Sequence, residues 1–251
     1  MSREVRIFFT AIMFLTRLPV PRTTDHSSEY LRSAPRYFPV AGWIAGGLSS
    51  LAFWLFSRFI SVDIGIAASM VTGLLVTGCL HEDGFADVCD GMGGGWTKEK
   101  ILLIMKDSRI GAYGAIGLIS ILATKFLLLK ELPFFIPAVV AAHSVSRLMP
   151  VLVMKTGAYA ADPDKSKTPP LAGTTISPTT LIVAIVLSLA PFALLPWYFG
   201  AVIIPALAVT YGMYHWFFKW IGGYTGDCLG AIQQVTEITV YLFCILLWRY
   251  L

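Results

Sequence analysis

Charge is scarce in this chain: only 14% of its 251 residues are Asp, Glu, Lys or Arg, against about a quarter in an ordinary soluble domain. Cysteine is scarce too. Cys79, Cys89, Cys228 and Cys244 form no CxxC pair and no zinc-finger spacing with histidine, which excludes a disulfide framework and a structural zinc site and predicts reduced thiols. There is no basic stripe interleaved with aromatics, so nucleic acid is not an expected partner. No repeat of fixed period is present, and the one polar tract is 161–180, whose Pro163, Pro169, Pro170 and Pro178 mark a loop.

What remains is apolar. Hydrophobic residues make up 56% of the chain and mean hydropathy is +0.71, the composition of a polytopic membrane protein and not of a soluble core. A span needs about 20 such residues, so the expected architecture is all-α: a multi-pass helix bundle forming a single membrane domain over residues 1–251. Seven spans are predicted, at about Tyr37–Phe56, Ile64–Leu80, Ile110–Leu129, Pro133–Met154, Pro178–Tyr198, Ala201–Phe218 and Leu229–Trp248. The earlier run Val5–Leu15 is too short to cross and is closed by Arg17, Pro19, Pro21 and Arg22, so residues 1–22 read as an interfacial or re-entrant helix. No small-residue cleavage site follows it, and cleavage as a signal peptide is not expected.

Lys and Arg outside these spans are distributed unevenly. On one side fall fourteen: Arg3, Arg6, Arg17, Arg22, Arg32, Arg36, Lys98, Lys100, Lys106, Arg109, Lys155, Lys165, Lys167 and Lys219; opposite lie only Arg58, Lys130 and Arg249. The positive-inside rule makes the richer side cytoplasmic.

On that side, after the second span, the chain reads His81-Glu82-Asp83-Gly84-Phe85-Ala86-Asp87-Val88-Cys89-Asp90-Gly91. At about 100° per residue, Asp87 and Asp90 lie about 40° and −20° from Asp83, so one helical face carries three carboxylates. Like charges so placed repel, and a divalent cation held by oxygen ligands, magnesium, manganese or calcium, is the simplest compensation. Gly84 and Gly91 would let a phosphate approach the backbone. His81 falls about 200° behind Asp83 and stands either as a general base for a hydroxyl or as an interfacial hydrogen-bonding group. Glu82 is off the acidic face.

Gly93-Gly94-Gly95 ends the motif helix, Trp96 suits an interfacial anchor, and Thr97 suits the N-cap of a short helix ending near Asp107. Residues 81–109 therefore read as a cytoplasmic catalytic segment. Lys106, Asp107, Ser108 and Arg109 lead into the third span, where Arg109 suits bidentate phosphate binding. Gly222-Gly223-Tyr224-Thr225-Gly226-Asp227 is a second glycine-rich turn ending in an acid on the same side. Within the spans, Lys125, Arg147 and Glu237 are ionisable. Either Lys125 or Arg147 pairs with Glu237 as a structural bridge, or these groups bind phosphate or amide-rich substrate. His26 and His215 have no partner spacing.

Five motifs occur in one order: Thr16–Pro21 (TRLPVP), His81–Gly91 (HxDGxxDxxDG), Met105–Gly114 (MKDSRIGxxG), Val145–Arg147 (VSR) and Gly222–Gly230 (GGxTGDxLG). Together they resemble the cobalamin synthase family, the adenosylcobinamide-GDP ribazoletransferases. The resemblance implies a multi-pass bacterial inner-membrane enzyme joining adenosylcobinamide-GDP to α-ribazole or its 5′-phosphate, with release of GMP and a requirement for magnesium. It implies Asp83, Asp87 and Asp90 as metal ligands with Asp227 a fourth, and Lys106 and Arg109 on the diphosphate. His81 or one of the acids would take the hydroxyl proton. Gly84, Gly91, Asp107, Ser108, Arg147, Thr225 and Gly226 complete the expected substrate contacts. A homo-oligomer or an assembly with other enzymes of cobalamin synthesis is a further expected partner. The motif is also distantly similar to that of CDP-alcohol phosphotransferases, yet Ala86-Asp87 stands where that family has Ala-Arg. A cation or solute transporter is the non-enzyme alternative, with the carboxylates forming a mouth.

Overall fold

The computed structural model describes the chain apart from residues 22–23, 25–26, 162–170, 172 and 174. Arg22, His26, Lys165, Lys167 and the loop prolines Pro163, Pro169 and Pro170 lie outside the described residues. Among the described residues eleven α-helices run in order: α1 (Arg3–Leu15), α2 (Ser28–Ser33), α3 (Phe38–Phe59), α4 (Val62–Thr77), α5 (Leu80–Gly94), α6 (Lys98–Met105), α7 (Ala112–Glu131), α8 (Phe135–Thr156), α9 (Pro178–Leu189), α10 (Ile203–Ile221) and α11 (Gly226–Tyr250). Short 3₁₀ turns join α2 to α3 and α9 to α10. Among the described residues there is no strand, only an isolated bridge between Tyr159 and Tyr224.

Helices occupy all seven predicted spans, but the count of seven is not reached. Among the described residues five segments are long and apolar enough to cross: Ser28–Phe59, Ala112–Glu131, Phe135–Thr156, Trp197–Ile221 and Gly226–Tyr250. A sixth exists only if α4 and α5, bent by 88°, are taken as one broken span, and Pro178–Leu194 is a shorter apolar helix. Two residues make the bend. Gly78 ends α4 in the left-handed region at φ 64° and Cys79 follows at φ 57°, a conformation that glycine adopts freely and a thiol side chain does not. Arg17 lies against Gly78, and its backbone N–H donates to the Val76 carbonyl at 2.7 Å, so the TRLPVP segment buttresses the corner.

The polarity of the bundle is inverted relative to a soluble protein. Outward faces carry Trp54, Ile116, Ile119, Leu127 and Ile204, all exposed, whereas Lys125, His143, Arg147, Gln233, Gln234 and Glu237 are buried. Helices satisfy most of their backbone polar groups internally, as lipid requires. Close helix contact supplies much of the cohesion there, and α3 achieves it with Gly42 and Gly46 in a GxxxG pattern. A β-carbon at Gly42 would collide with the His143 carbonyl of α8, and one at Gly46 would stand 3.0 Å from the Val140 Cα.

One end of the bundle is tied by the pairs Lys130–Asp63 (3.0 Å) and Arg249–Glu131 (2.8 Å), which gather the start of α4 and the ends of α7 and α11. All three basic residues predicted for the poorer side belong to helix ends, and two of them make these pairs. The amphipathic α1 packs through Ile7, Ala11, Ile12 and Leu15 and is held by Arg36–Glu4 (2.9 Å) and Arg3–Glu29 (3.2 Å).

Candidate active site

The acidic motif forms α5, as its phase predicts, and Thr97 caps α6 by accepting from the Lys100 N–H at 3.3 Å. What the helix phase does not specify is the neighbour of each carboxylate. Asp90 is buried at the amino terminus of α7: its Oδ2 accepts from the Gly111 N–H (2.7 Å) and its Oδ1 from the Gly114 N–H (2.8 Å). Two donors that would otherwise be orphans of the first helical turn thus engage both oxygens, one bond on each. Asp90 leaves the acidic stripe and becomes a long-range cap. The MKDSRIGxxG segment is anchored to the acidic motif by these two bonds.

Asp83, at the other end of the stripe, is exposed on an outer cavity of about 190 Å³. Asp227 lines the same cavity. Close approach of α5 and α11 brings them there. A β-carbon at Gly84 would stand 3.0 Å from both the Cα and the carbonyl oxygen of Asp227, and one at Gly230 would stand 3.2 Å from the His81 carbonyl. The opening expected for a phosphate at Gly84 and Gly91 is therefore filled by protein: Asp227 backbone covers the first, and Met105 and Ile101 cover the second. Both glycines serve helix packing. Asp87 is partly buried one turn beyond Asp83.

His81 is buried, yet it borders the outer cavity beside Asp83. The helix begins at Leu80, immediately after the corner, so His81 belongs to a first turn wedged between two spaces. Arg147 is 3% exposed and also borders the outer cavity, with its Nε buried and without a hydrogen-bond partner. The remaining wall is apolar and aromatic, from Phe14, Leu15, Phe38, Met154, Tyr159 and Tyr224 among others.

The second glycine-rich turn is built for this wall. Gly222 ends α10 at φ 77°, and Tyr224 exchanges backbone bonds with the strand-like 158–160 segment (Tyr224 N–H to Ala158 carbonyl and Ala160 N–H to Tyr224 carbonyl, both 2.9 Å). Thr225 then caps α11, accepting from the Cys228 N–H at 3.3 Å, which commits its hydroxyl. Gly226 borders the cavity. The Tyr224 hydroxyl is buried and unpartnered, and burial pushes its pKa up to about 12, so it is a donor at physiological pH.

Lys106, Ser108 and Arg109 lie apart from the cavity, on the exposed loop between α6 and α7. Arg109 is bound to Asp107 through Nη2 (2.6 Å) and Nε (3.0 Å). Hydrogen bonding from Arg109 lowers the Asp107 carboxyl to about 2. Residues missed by sequence reasoning are His143, Gln233, Gln234 and Tyr241, which join Glu82, Lys125 and Glu237 around a small inner cavity that His81 and Arg147 also border. Amide side chains buried in an apolar span are the signal that could have found Gln233 and Gln234. Lys125 does bridge Glu237, at 3.0 Å. All four cysteines are free thiols, and His215 packs its ring against Tyr211.

Among the described residues no three His, Cys, Asp or Glu side chains converge as a metal cage. Magnesium seldom needs one, since it usually takes one or two carboxylates and completes its shell with water and substrate phosphate. Asp83 and Asp227, from two different helices on one cavity, fit that mode; Asp90 does not.

The sequence was compared with known proteins. The family model described as cobalamin-5-phosphate synthase matches residues 7–245. An adenosylcobinamide-GDP ribazoletransferase of Vibrio cholerae serotype O1 is 40% identical over 243 residues, covering 95% of this chain and 93% of its own. Proteins of the same name from Shewanella woodyi (39% over 252 residues, 96% of each chain) and Shewanella frigidimarina (41% over 249 residues, 96% and 94%) are equally similar. No solved structure matches. With nearly the whole length matched, and with carboxylates from its two acidic motifs meeting in one cavity, this multi-pass membrane chain belongs to the cobalamin-5-phosphate synthase family.

Proposed function

We propose that the chain is an adenosylcobinamide-GDP ribazoletransferase, acting from the cytoplasmic face of a bacterial inner membrane. It joins adenosylcobinamide-GDP to α-ribazole or α-ribazole 5′-phosphate and releases GMP. One observation carries the reading: Asp83 and Asp227 share a cavity with the buried Arg147, whose Nε has no protein partner. Acids and an unsatisfied guanidinium around an apolar, aromatic space suit a large substrate with a diphosphate at its centre.

A free ribose hydroxyl of the α-ribazole moiety, one that the 5′-phosphate leaves unesterified, forms a bond through its oxygen to the phosphorus on the cobinamide side, and the bond from that phosphorus to the bridging oxygen breaks, so GMP leaves with the bridging oxygen. Arg147 binds the phosphoryl oxygens and offsets their charge, the main requirement of such a transfer. His81 or Asp83, both on the cavity, takes the hydroxyl proton. Apolar residues of α1 and the Tyr159–Tyr224 pair exclude water, which would otherwise hydrolyse the anhydride. Asp83 and Asp227, with Asp87 one turn away, would hold magnesium. When bound, that ion supplies charge neutralisation at the diphosphate. Lys106 and Arg109, on the exposed loop, attract the anionic substrate toward the surface.

The test is GMP release by purified protein in detergent, given adenosylcobinamide-GDP and α-ribazole. Release without a sealed compartment is expected and separates the reading from transport. Asp83→Asn and Asp227→Asn should each lower the rate by about 100-fold or more while leaving folded yield unchanged. Near-native rates in both variants would overturn the assignment.

A further inference from the structure

Inside the bundle, Lys125, His143, Arg147, Gln233 and Glu237 are each less than 10% exposed. Groups of this kind are costly in a membrane helix unless partnered, and they mark function. Glu237 stands at their centre. Its Oε1 accepts from Lys125 Nζ (3.0 Å) and from the Tyr241 hydroxyl (3.2 Å), and its Oε2 accepts from Gln233 Nε2 (2.7 Å). The His143 Nε2 lies 3.6 Å from the same Oε1.

The other ring nitrogen of His143 faces Arg147, with Nδ1 3.2 Å from Nη1. A guanidinium only donates, so Nδ1 must be the acceptor, and the ring proton sits on Nε2, directed at Glu237. The Glu237 carboxylate, at 3.6 Å a neighbouring charge and not a hydrogen-bond partner, favours the tautomer that receives the arginine. Nη1 also donates to the His143 carbonyl at 2.9 Å. Pro150, one turn on, has no N–H for the Ser146 carbonyl, and Gly42 of α3 presses on the His143 carbonyl. Arg147 is thus gripped by one nitrogen from behind, while its buried Nε stays unpartnered and the residue borders the outer cavity.

We propose that Glu237 is a positioning residue for the transfer reaction: acting through His143, it fixes the Arg147 guanidinium so that its unused edge meets a phosphate of the substrate in the outer cavity. The inference rests on the reading that this cavity is the reaction site. Glu237 touches no substrate. A purely structural Lys125–Glu237 bridge would give no coupling to Arg147.

A double-mutant cycle on the purified full-length protein separates the two. Glu237→Gln removes the negative charge that faces the His143 Nε2–H and so weakens the preference for that tautomer. Alone, Glu237→Gln and Arg147→Lys should each raise KM for adenosylcobinamide-GDP about tenfold, and together they should raise it little beyond either one. In a His143→Leu background, Glu237→Gln should change KM by less than about twofold. Multiplicative effects in the double variant, or lost thermal stability with unchanged KM, would overturn the proposal. Equilibrium binding of inorganic pyrophosphate gives a readout independent of the reaction. If wild type releases no GMP but binds pyrophosphate about tenfold tighter than Glu237→Gln does, the proposed reaction fails and the positioning role stands. Equal pyrophosphate binding by the two overturns it. Should Glu237→Gln not accumulate as folded protein, His143→Asn, which keeps an acceptor on a shorter stem, carries the same comparisons.

Discussion

Replacing Asp90 by Ala strips both acceptors from the first turn of α7 and leaves the buried Gly114 N–H, together with the more accessible Gly111 N–H, without its partner. A loss of about 1–3 kcal/mol is expected, measured as earlier thermal unfolding in detergent, whereas Asp83→Asn should leave unfolding unchanged. The two acids share a helical face, so their difference was illegible in sequence: phase gives the direction of a side chain, and the partners of Asp90 lie 21 and 24 residues away. The Asp107–Arg109 pair makes a pH prediction. Its carboxyl is held at about 2, below the ordinary value, so the ion pair persists throughout the neutral and mildly acidic range and is lost only as pH falls through about 2. In Arg109→Gln the Asp107 carboxyl should return toward its ordinary value near 4, observable by carboxyl-carbon NMR titration.

At the scale of elements, the corner between α4 and α5 depends on a left-handed Gly78 with Arg17 packed on it. Gly78→Ala should cost about 1 kcal/mol in backbone strain and more from displacing Arg17, detected as reduced thermal stability together with slower GMP release, because the first turn of α5 carries His81 and Asp83. Thr225→Ala removes the α11 cap and should cost about 1 kcal/mol by the same unfolding measurement. The helix bearing the acidic motif, its end at the glycine triplet and the cap at Thr97 were all legible, since local chemistry decides them. The corner was not: a Gly-Cys pair reads as an ordinary helix end, and only the packing of Arg17 and Val76 turns it through 88°. The roles of Gly84 and Gly91 were likewise hidden, because a missing side chain says that something approaches without saying whether it is ligand or protein.

For the whole molecule, composition alone identified a helical membrane bundle, and the five motifs located the family. The number of crossings was less legible because α9 is short and α4 and α5 turn away from each other. Topology is testable with single cysteines in a background lacking the native four. Trp96→Cys should react with an impermeant maleimide only in inverted vesicles, and Ser61→Cys, beside the Lys130–Asp63 pair, only in intact cells or right-side-out vesicles. The reverse pattern would invert the orientation drawn from the charge distribution. The inner polar network was the least legible part of the molecule, since Lys125, His143 and Glu237 come from three helices and only the fold brings them together.

Phe14 and Leu15 of α1 help enclose the outer cavity, yet α1 is too short to span and is fastened to the rest partly by the exposed pair Arg3–Glu29 and by Glu4 on the buried Arg36. If that cavity is the reaction site and α1 lies at the bilayer interface, one of its walls is a shutter seated against lipid. Lipids that alter the seating of that shutter would change catalytic throughput without reaching a single acidic side chain.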